Sequence, residues 1–198
     1  MAKGPKYRVR FKRHRNGKTN YYLRKRLIQS NLPRIVIRKS NKYILIQLIE
    51  AQIEGDRILS STNSKELIKK YDWGGSCNSI PTAYLTGYLA GLKINASNNI
   101  EKAILDLGLQ KITYGSKLFS ALKGLVDADI NIPHSDKIFP PEERISGEHI
   151  QSIANSLYDT DPDRYKKQFS LYLKNNFDPR NYVELFNKTL KKIQNSFN

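Results

Sequence analysis

The sequence predicts an α/β fold: a mixed β-sheet with helices packed on it, a basic extended N-terminal arm before it and a helical C-terminal extension after it. Three observations lead there. Between residues 19 and 131, helical and strand-like runs follow one another as helix, three strands, helix, strand, helix. Ahead of them the chain is crowded with cations, and no carboxylate occurs before Glu50. Beyond Ile132-Pro133, prolines punctuate short amphipathic segments. The expected divisions of the 198 residues are therefore 1–18, an arm; 19–131, an α/β domain; and 132–198, a helical extension.

The turn at Asn16-Gly17 leads into a helix over Lys18–Ser30, with Thr19 as its expected N-cap. Leu23, Leu27 and Ile28 form its apolar stripe, while Arg24, Lys25 and Arg26 point largely elsewhere. Pro33 breaks the pattern. Strand-like runs follow at Ile35-Val36-Ile37, at Tyr43–Ile49 after the Ser40-Asn41 turn, and at Ala51–Leu59 with Gly55-Asp56 near its middle. Such short spacing predicts an antiparallel meander.

Asn63-Ser64-Lys65-Glu66 has the form of a capping box that opens a short helix through Lys70. Pro81 suits the first turn of the next helix, where Tyr84, Leu85, Tyr88, Leu89 and Leu92 recur at helical spacing. Its small residues Ala83, Gly87, Ala90 and Gly91 predict close packing on the sheet. A strand over Lys102–Leu107 and an amphipathic helix over Lys117–Asp127 complete the domain.

In the extension, His134–Gly147 reads as a loop and three helices follow. Their stripes are Ile150, Ile153, Ala154 and Leu157; Phe169, Tyr172 and Leu173; and Tyr182, Leu185, Phe186, Leu190 and Ile193. Asp161-Pro162 and Asp178-Pro179 each supply a capping carboxylate and a proline for the first turn. Helices this short need a surface to lie on, either the domain itself or a partner.

Composition narrows the function classes. The formal charge is +16, and residues 1–42 hold 15 of the 34 basic residues with no acidic one. From residue 43 onward, 19 basic residues face 18 acidic ones. Charge segregated in this way points to a polyanionic partner. Aromatics interleave with the cations at Tyr7, Phe11, Tyr21 and Tyr22. Cations meet phosphates and release counterions, and rings stack on unpaired bases, which favours an RNA with loops or bulges over a continuous DNA duplex. Tyr21 and Tyr22 are equally well read as anchors of the arm to the protein's own core.

Cys77 is the single cysteine, which excludes an internal disulfide and a four-cysteine zinc site. No run of about 18 apolar residues is present, and no apolar stretch follows the basic N-terminus, so a soluble intracellular protein is expected, with no membrane partner. No catalytic constellation assembles. His14, His134 and His149 match no metal spacing, and Cys77 has no identifiable base. Gly74-Gly75-Ser76 allows two readings, a backbone cradle for an RNA phosphate or a tight turn without a ligand. Asp72, Asp106, Asp127 and Asp129 would suit a metal-dependent nuclease only if the fold brought them together. A further alternative is a DNA-binding regulator that reads the major groove with the Lys18–Ser30 helix.

Three segments resemble a known family. They are Tyr7-Arg8-Val9-Arg10-Phe11-Lys12-Arg13-His14-Arg15-Asn16-Gly17-Lys18-Thr19-Asn20-Tyr21, Arg24-Lys25-Arg26-Leu27-Ile28, and Gly74-Gly75-Ser76-Cys77-Asn78-Ser79-Ile80-Pro81-Thr82-Ala83-Tyr84-Leu85-Thr86-Gly87. Together they resemble the large-subunit ribosomal proteins that carry 5S ribosomal RNA, called L-eighteen in bacteria and archaea and L-five in eukaryotes. The likeness runs over roughly residues 5–130, and the intermediate length resembles the archaeal members. The resemblance implies a structural protein of the central protuberance, without cofactor or catalysis. Its implied partners are 5S ribosomal RNA, the large-subunit ribosomal RNA and neighbouring large-subunit proteins. The residues expected to contact RNA are Lys3, Lys6, Tyr7, Arg8, Arg10, Phe11, Lys12, Arg13, Arg15, Lys18, Tyr21, Tyr22, Arg24, Lys25, Arg26, Arg38 and Lys39, with Gly74, Gly75 and Ser76 at the glycine turn.

Overall fold

A computed structural model describes residues 4–97, 100 and 102–197. The four strands are β1 (Arg34–Lys39), β2 (Ile44–Ala51), β3 (Asp56–Asn63) and β4 (Ile104–Asp106), in the spatial order β3-β2-β1-β4. β1, β2 and β3 form the expected antiparallel meander, while β4 lies parallel to β1. The sheet is therefore mixed.

Alternation along the strands gives the sheet two different faces. Ile35 and Ile37 of β1 and Ile44, Ile46 and Leu48 of β2 form one core with α4 (Ile80–Ser97) and α5 (Lys117–Asp127). The residues between them on β1, including Arg34 and Arg38, belong to the opposite face. α4 and α5 touch backbone to backbone. A Cβ on Gly87 would come within 2.1 Å of the Ala121 carbonyl oxygen, and one on Gly124 within 2.2 Å of the Tyr84 carbonyl oxygen. Gly91 similarly faces Ala128. These α4 glycines serve helix–helix contact rather than the approach to the sheet expected of them; Ala83 and Ala90 do join the sheet core.

The third strand lies further along the chain than its apolar pattern indicated. Ala51 ends β2 and pairs with Asp56, and Gln52 and Gly55 exchange backbone hydrogen bonds across the turn between them. Ile53, which reads as a strand residue, is wholly exposed in that turn. The capping box before α3 (Lys65–Tyr71) is present: Lys65 N donates to Asn63 Oδ1 at 3.0 Å and Asn63 N to Glu66 Oε1 at 3.1 Å. The hydroxyl of Ser64 instead accepts from Ile44 N.

The extension is helical and folds back on the domain. Its first stretch is less loop-like than expected, because Asp136–Ile138 makes a 3-10 turn and Glu142–Ser146 forms α6 directly after Pro141. α7 (Glu148–Thr160) follows. The expected middle helix is two, α8 (Pro162–Gln168) and α9 (Ser170–Lys174), and α10 (Tyr182–Asn195) ends the fold. Ile145, Tyr182, Phe186 and Ile193 make a second core with Leu67, Tyr71, Trp73, Leu85 and Leu89. α4 is thus buried on both sides, under the sheet core and under the extension, which explains its apolar character all round.

Both Asp-Pro pairs act as expected. Arg164 N donates to Asp161 Oδ1 at 3.0 Å, and Arg180 N donates to Asp178 Oδ1 at 2.9 Å. Asp178 also receives the Arg180 guanidinium at 2.6 Å and the Tyr165 hydroxyl at 2.8 Å. The Arg180 bonds hold the Asp178 carboxyl down at about 2, below its usual 3.8, and burial pushes the Tyr165 phenol up to about 12. A depressed carboxyl stabilises the fold fully above its unfolded value and loses that contribution as pH falls through the folded one. In an acid titration followed by fluorescence of the buried Trp73, the native chain is expected to lose stability between pH 3.8 and about 2. Asp178→Asn should be less stable at neutral pH and lose less across that window; an unchanged slope would contradict the assignment.

Candidate nucleic-acid interface

The interface is built from the arm, the first long helix and the sheet face away from α4 and α5. Within the arm, Lys12–Arg15 forms one helical turn, α1, so the arm is not extended throughout. Lys18 N donates to Arg13 O at 2.9 Å, and Gly17 takes a positive φ of 62° to reverse the chain. α2 covers Tyr21–Gln29, shorter than the expected Lys18–Ser30. Its cap is Asn20 rather than Thr19: Tyr22 N and Leu23 N donate to Asn20 Oδ1 at 3.1 and 3.2 Å. Thr19 Oγ1 is taken by Arg13 Nε at 3.0 Å, which ties the arm to the start of α2.

The aromatics divide into anchor and surface. Tyr21 is half-buried, with Phe11 edge-on at 5.3 Å between ring centroids and the His14 ring stacked at 6.5 Å. Tyr22, its neighbour, remains 77% exposed, Phe11 72% and Tyr7 53%. Neither tyrosine anchors the arm to the protein's core: Tyr21 ties the arm residues Phe11 and His14 to α2, and Tyr22 is exposed.

The cations divide as well. Arg24 of α2 meets Asp56 of β3 at 2.9 Å. Asp56 meets Arg34 at 2.8 Å, Arg34 meets Asp106 of β4 at 3.1 Å, and Asp106 meets Arg38 at 3.0 Å. This alternating chain of five charges crosses the sheet from α2 to β4. Arg34, only 2% exposed, lies at its centre. Arg38 also donates to the Asp106 carbonyl oxygen at 2.7 Å, so Arg38 is a brace as well as a surface cation. None of the residues of α2 is buried, and its link to the sheet depends on Arg24. By contrast, Lys6, Arg8, Arg10, Lys12, Arg13, Arg15, Lys18, Lys25, Arg26 and Lys39 pair with no carboxylate among the described residues. Lys3 lies outside the described residues.

Gly74, Gly75 and Ser76 lie elsewhere, beside the β1–β2 turn and α9. Neither glycine has the positive φ on which an anion nest depends. A Cβ on Gly75 would come within 2.6 Å of the Trp73 indole, and one on Gly74 within 3.1 Å of Phe177. Packing therefore accounts for both glycines, Gly74 against Phe177 of the extension and Gly75 against the neighbouring Trp73 ring. Burial pushes the nearby Cys77 thiol up, against the demands of a nucleophile.

The carboxylates considered for a nuclease are used separately. Asp72 ends α3 and pairs with Lys192, Asp106 is held by Arg34 and Arg38, and Asp127 by Lys123. Among the described residues no group of three or more His, Cys, Asp or Glu side chains could hold a metal ion. The sequence reading missed the bracing role of Arg34 and Asp56, and no local pattern could have revealed partners so distant along the chain.

Comparison with known proteins agrees with this architecture. The family model described as "Ribosomal large subunit proteins 60S L5, and 50S L18" matches residues 5–103 and 92–135. The chain belongs to this family. Curated members named large ribosomal subunit protein uL18 include those of Aeropyrum pernix, 45% identical across the whole of this chain and 92% of its own length, and of Ignicoccus hospitalis, 44% identical across 98% and 94%. That of Caldivirga maquilingensis is 40% identical across the whole of this chain and 95% of its own length. The family model ends at residue 135, but these archaeal family members extend through the helical extension as well. As a family member the chain has a structural ribosomal role and is not an enzyme, which removes the nuclease alternative.

Proposed function

We propose that this protein binds 5S ribosomal RNA with its arm and α2 and helps attach that RNA to the large ribosomal RNA in the large subunit. Residues 1–18 act as the grip, 19–131 as its mount and 132–198 as a brace on the mount. The observation that carries the reading is the separation of the cations. Those on the sheet face are spent on carboxylates, whereas the arm, Lys25 and Arg26 keep theirs unpaired and exposed. Unpaired cations beside exposed rings at Tyr7, Phe11 and Tyr22 suit phosphates and unstacked bases on one folded RNA. Arg38 contributes through the sheet rather than as a freely moving phosphate ligand. The extension leaves Leu171 and Ile153 exposed, a surface suited to neighbouring large-subunit proteins.

The test is the salt dependence of binding to 5S ribosomal RNA. With on the order of six phosphates neutralised, log K should fall against log salt with a slope of roughly −4 to −5. A slope near zero, or equal affinity for duplex DNA at the same salt, would refute the reading.

A further inference from the structure

α2 and the arm do not lie flat on the sheet. Between them and the turn after β4 runs a cleft of about 320 Å³, near the lower end of the roughly 300–1,000 Å³ typical of ligand sites. We propose that this cleft receives a single unpaired nucleotide of the bound RNA, base inward, a role that rests on the function proposed above.

The composition of the cleft selects that ligand. Leu23 and Leu27 from α2 and Leu109 from the turn provide apolar walls, which a phosphate has no use for. Arg13 and Lys18 stand at the same cleft with no carboxylate paired to either among the described residues. Apolar walls with cations beside them fit a base and its own phosphate together. A paired duplex does not fit, because the space holds about one residue of nucleic acid. Two amides could read the base edge. The Asn20 side chain caps α2 through its oxygen only, and its nitrogen is unused among the described residues. Gln110 makes no side-chain hydrogen bond among them. An unengaged carboxamide offers both a donor and an acceptor.

The cleft is also preformed, which lowers the cost of binding. Gly108 N donates to Asp106 Oδ1 at 2.8 Å, and Arg38 holds the same oxygen at 3.0 Å. Gly108 has a φ of +64°, and a Cβ there would come within 3.0 Å of the Arg38 guanidinium. The turn therefore sits directly on the ion-pair chain that also tethers α2 through Arg24. Both walls of the cleft are set by the same charges. Leu109 borders a second cleft with Arg10, His14 and Tyr22, so the exposed Tyr22 ring stands where an adjacent base would stack.

The experiment is chemical probing of a 5S ribosomal RNA transcript bound to the full chain. Dimethyl sulfate and a carbodiimide reagent together read the pairing edges of the bases, and hydroxyl radicals read the backbone. The full chain is expected to shield at least one unpaired base within its backbone footprint. Leu109→Asp and Gln110→Ala should raise the reactivity of that base about fivefold or more while leaving the rest of the footprint intact. Leu109 is exposed and the Gln110 side chain makes no hydrogen bond among the described residues, so both variants should unfold at the native temperature. A backbone footprint without a shielded base, or a base equally shielded in both variants, would overturn the pocket and leave the RNA-binding reading standing. Absence of any footprint would overturn both.

Discussion

Removal of residues 1–18 is expected to weaken binding of 5S ribosomal RNA by at least about a hundredfold at 0.15 M salt while the rest of the chain stays folded. Eight of the 34 basic residues lie in that segment, and no acidic residue does. The described cations among them all face solvent, so they remain available to release counterions from a polyanion. The same exposure makes the segment dispensable to the fold, because neither the sheet core nor the core under the extension includes a residue before Ile35. The loss of Phe11 uncovers one edge of Tyr21, but Arg24 still ties α2 to Asp56. Filter binding and thermal unfolding of the same preparation separate the two effects. Retained affinity would place the grip elsewhere, and a large fall in melting temperature would show the arm to be part of the folded body.

Arg34→Ala should be the most damaging single change on the sheet, destabilising the fold by roughly 3–5 kcal/mol. Arg34 is 2% exposed and stands between Asp56 and Asp106 at 2.8 and 3.1 Å. Without it the only cations left are Arg24 on Asp56 and Arg38 on Asp106 among the described residues, both themselves partly in solvent. The cost is chiefly that of leaving Asp106, only 7% exposed, poorly compensated in a desolvated place, far above that of losing a surface pair. For a chain of this length each kcal/mol corresponds to about 2–4 °C, so the melting temperature should fall by roughly 6–20 °C. Arg34→Met keeps much of the side-chain volume and should destabilise almost as much, which would identify charge rather than packing as the cause. A shift below about 1 kcal/mol in both variants would refute the bracing role. Since the ion-pair chain ends on α2, these variants should also loosen the helix that carries Lys25 and Arg26.

Much of the fold is legible in short stretches of sequence. Lys117–Asp127 is a helix with the expected ends, because its apolar residues recur at 3.6-residue spacing over three turns. The Asp161-Pro162 and Asp178-Pro179 starts are equally local, each a side chain reaching a backbone N–H a few residues ahead. β3 is less legible. Ile53 and Ile58 share the apolar pattern of a strand, yet the strand begins at Asp56 and runs to Asn63 because Leu45 and Ile46 supply ladder partners for Asn63 and Thr62. α2 starts one residue later than Thr19 as its cap would place it, since Arg13 competes for that hydroxyl from across a turn.

The sequence by itself determined the separation of charge, the meander with its flanking helices and membership of the ribosomal family. These depend on order along the chain, on composition and on periods of two and 3.6 residues. Only the tertiary structure decided which cations remain free. Arg24, Arg34 and Arg38 look like their neighbours in the sequence, but they meet carboxylates 32, 72 and 68 residues away. Electrostatic attraction acts through space and steepens as water is excluded. A cation's availability to RNA is therefore set by what the fold places within about 4 Å of it, and not by the residues on either side.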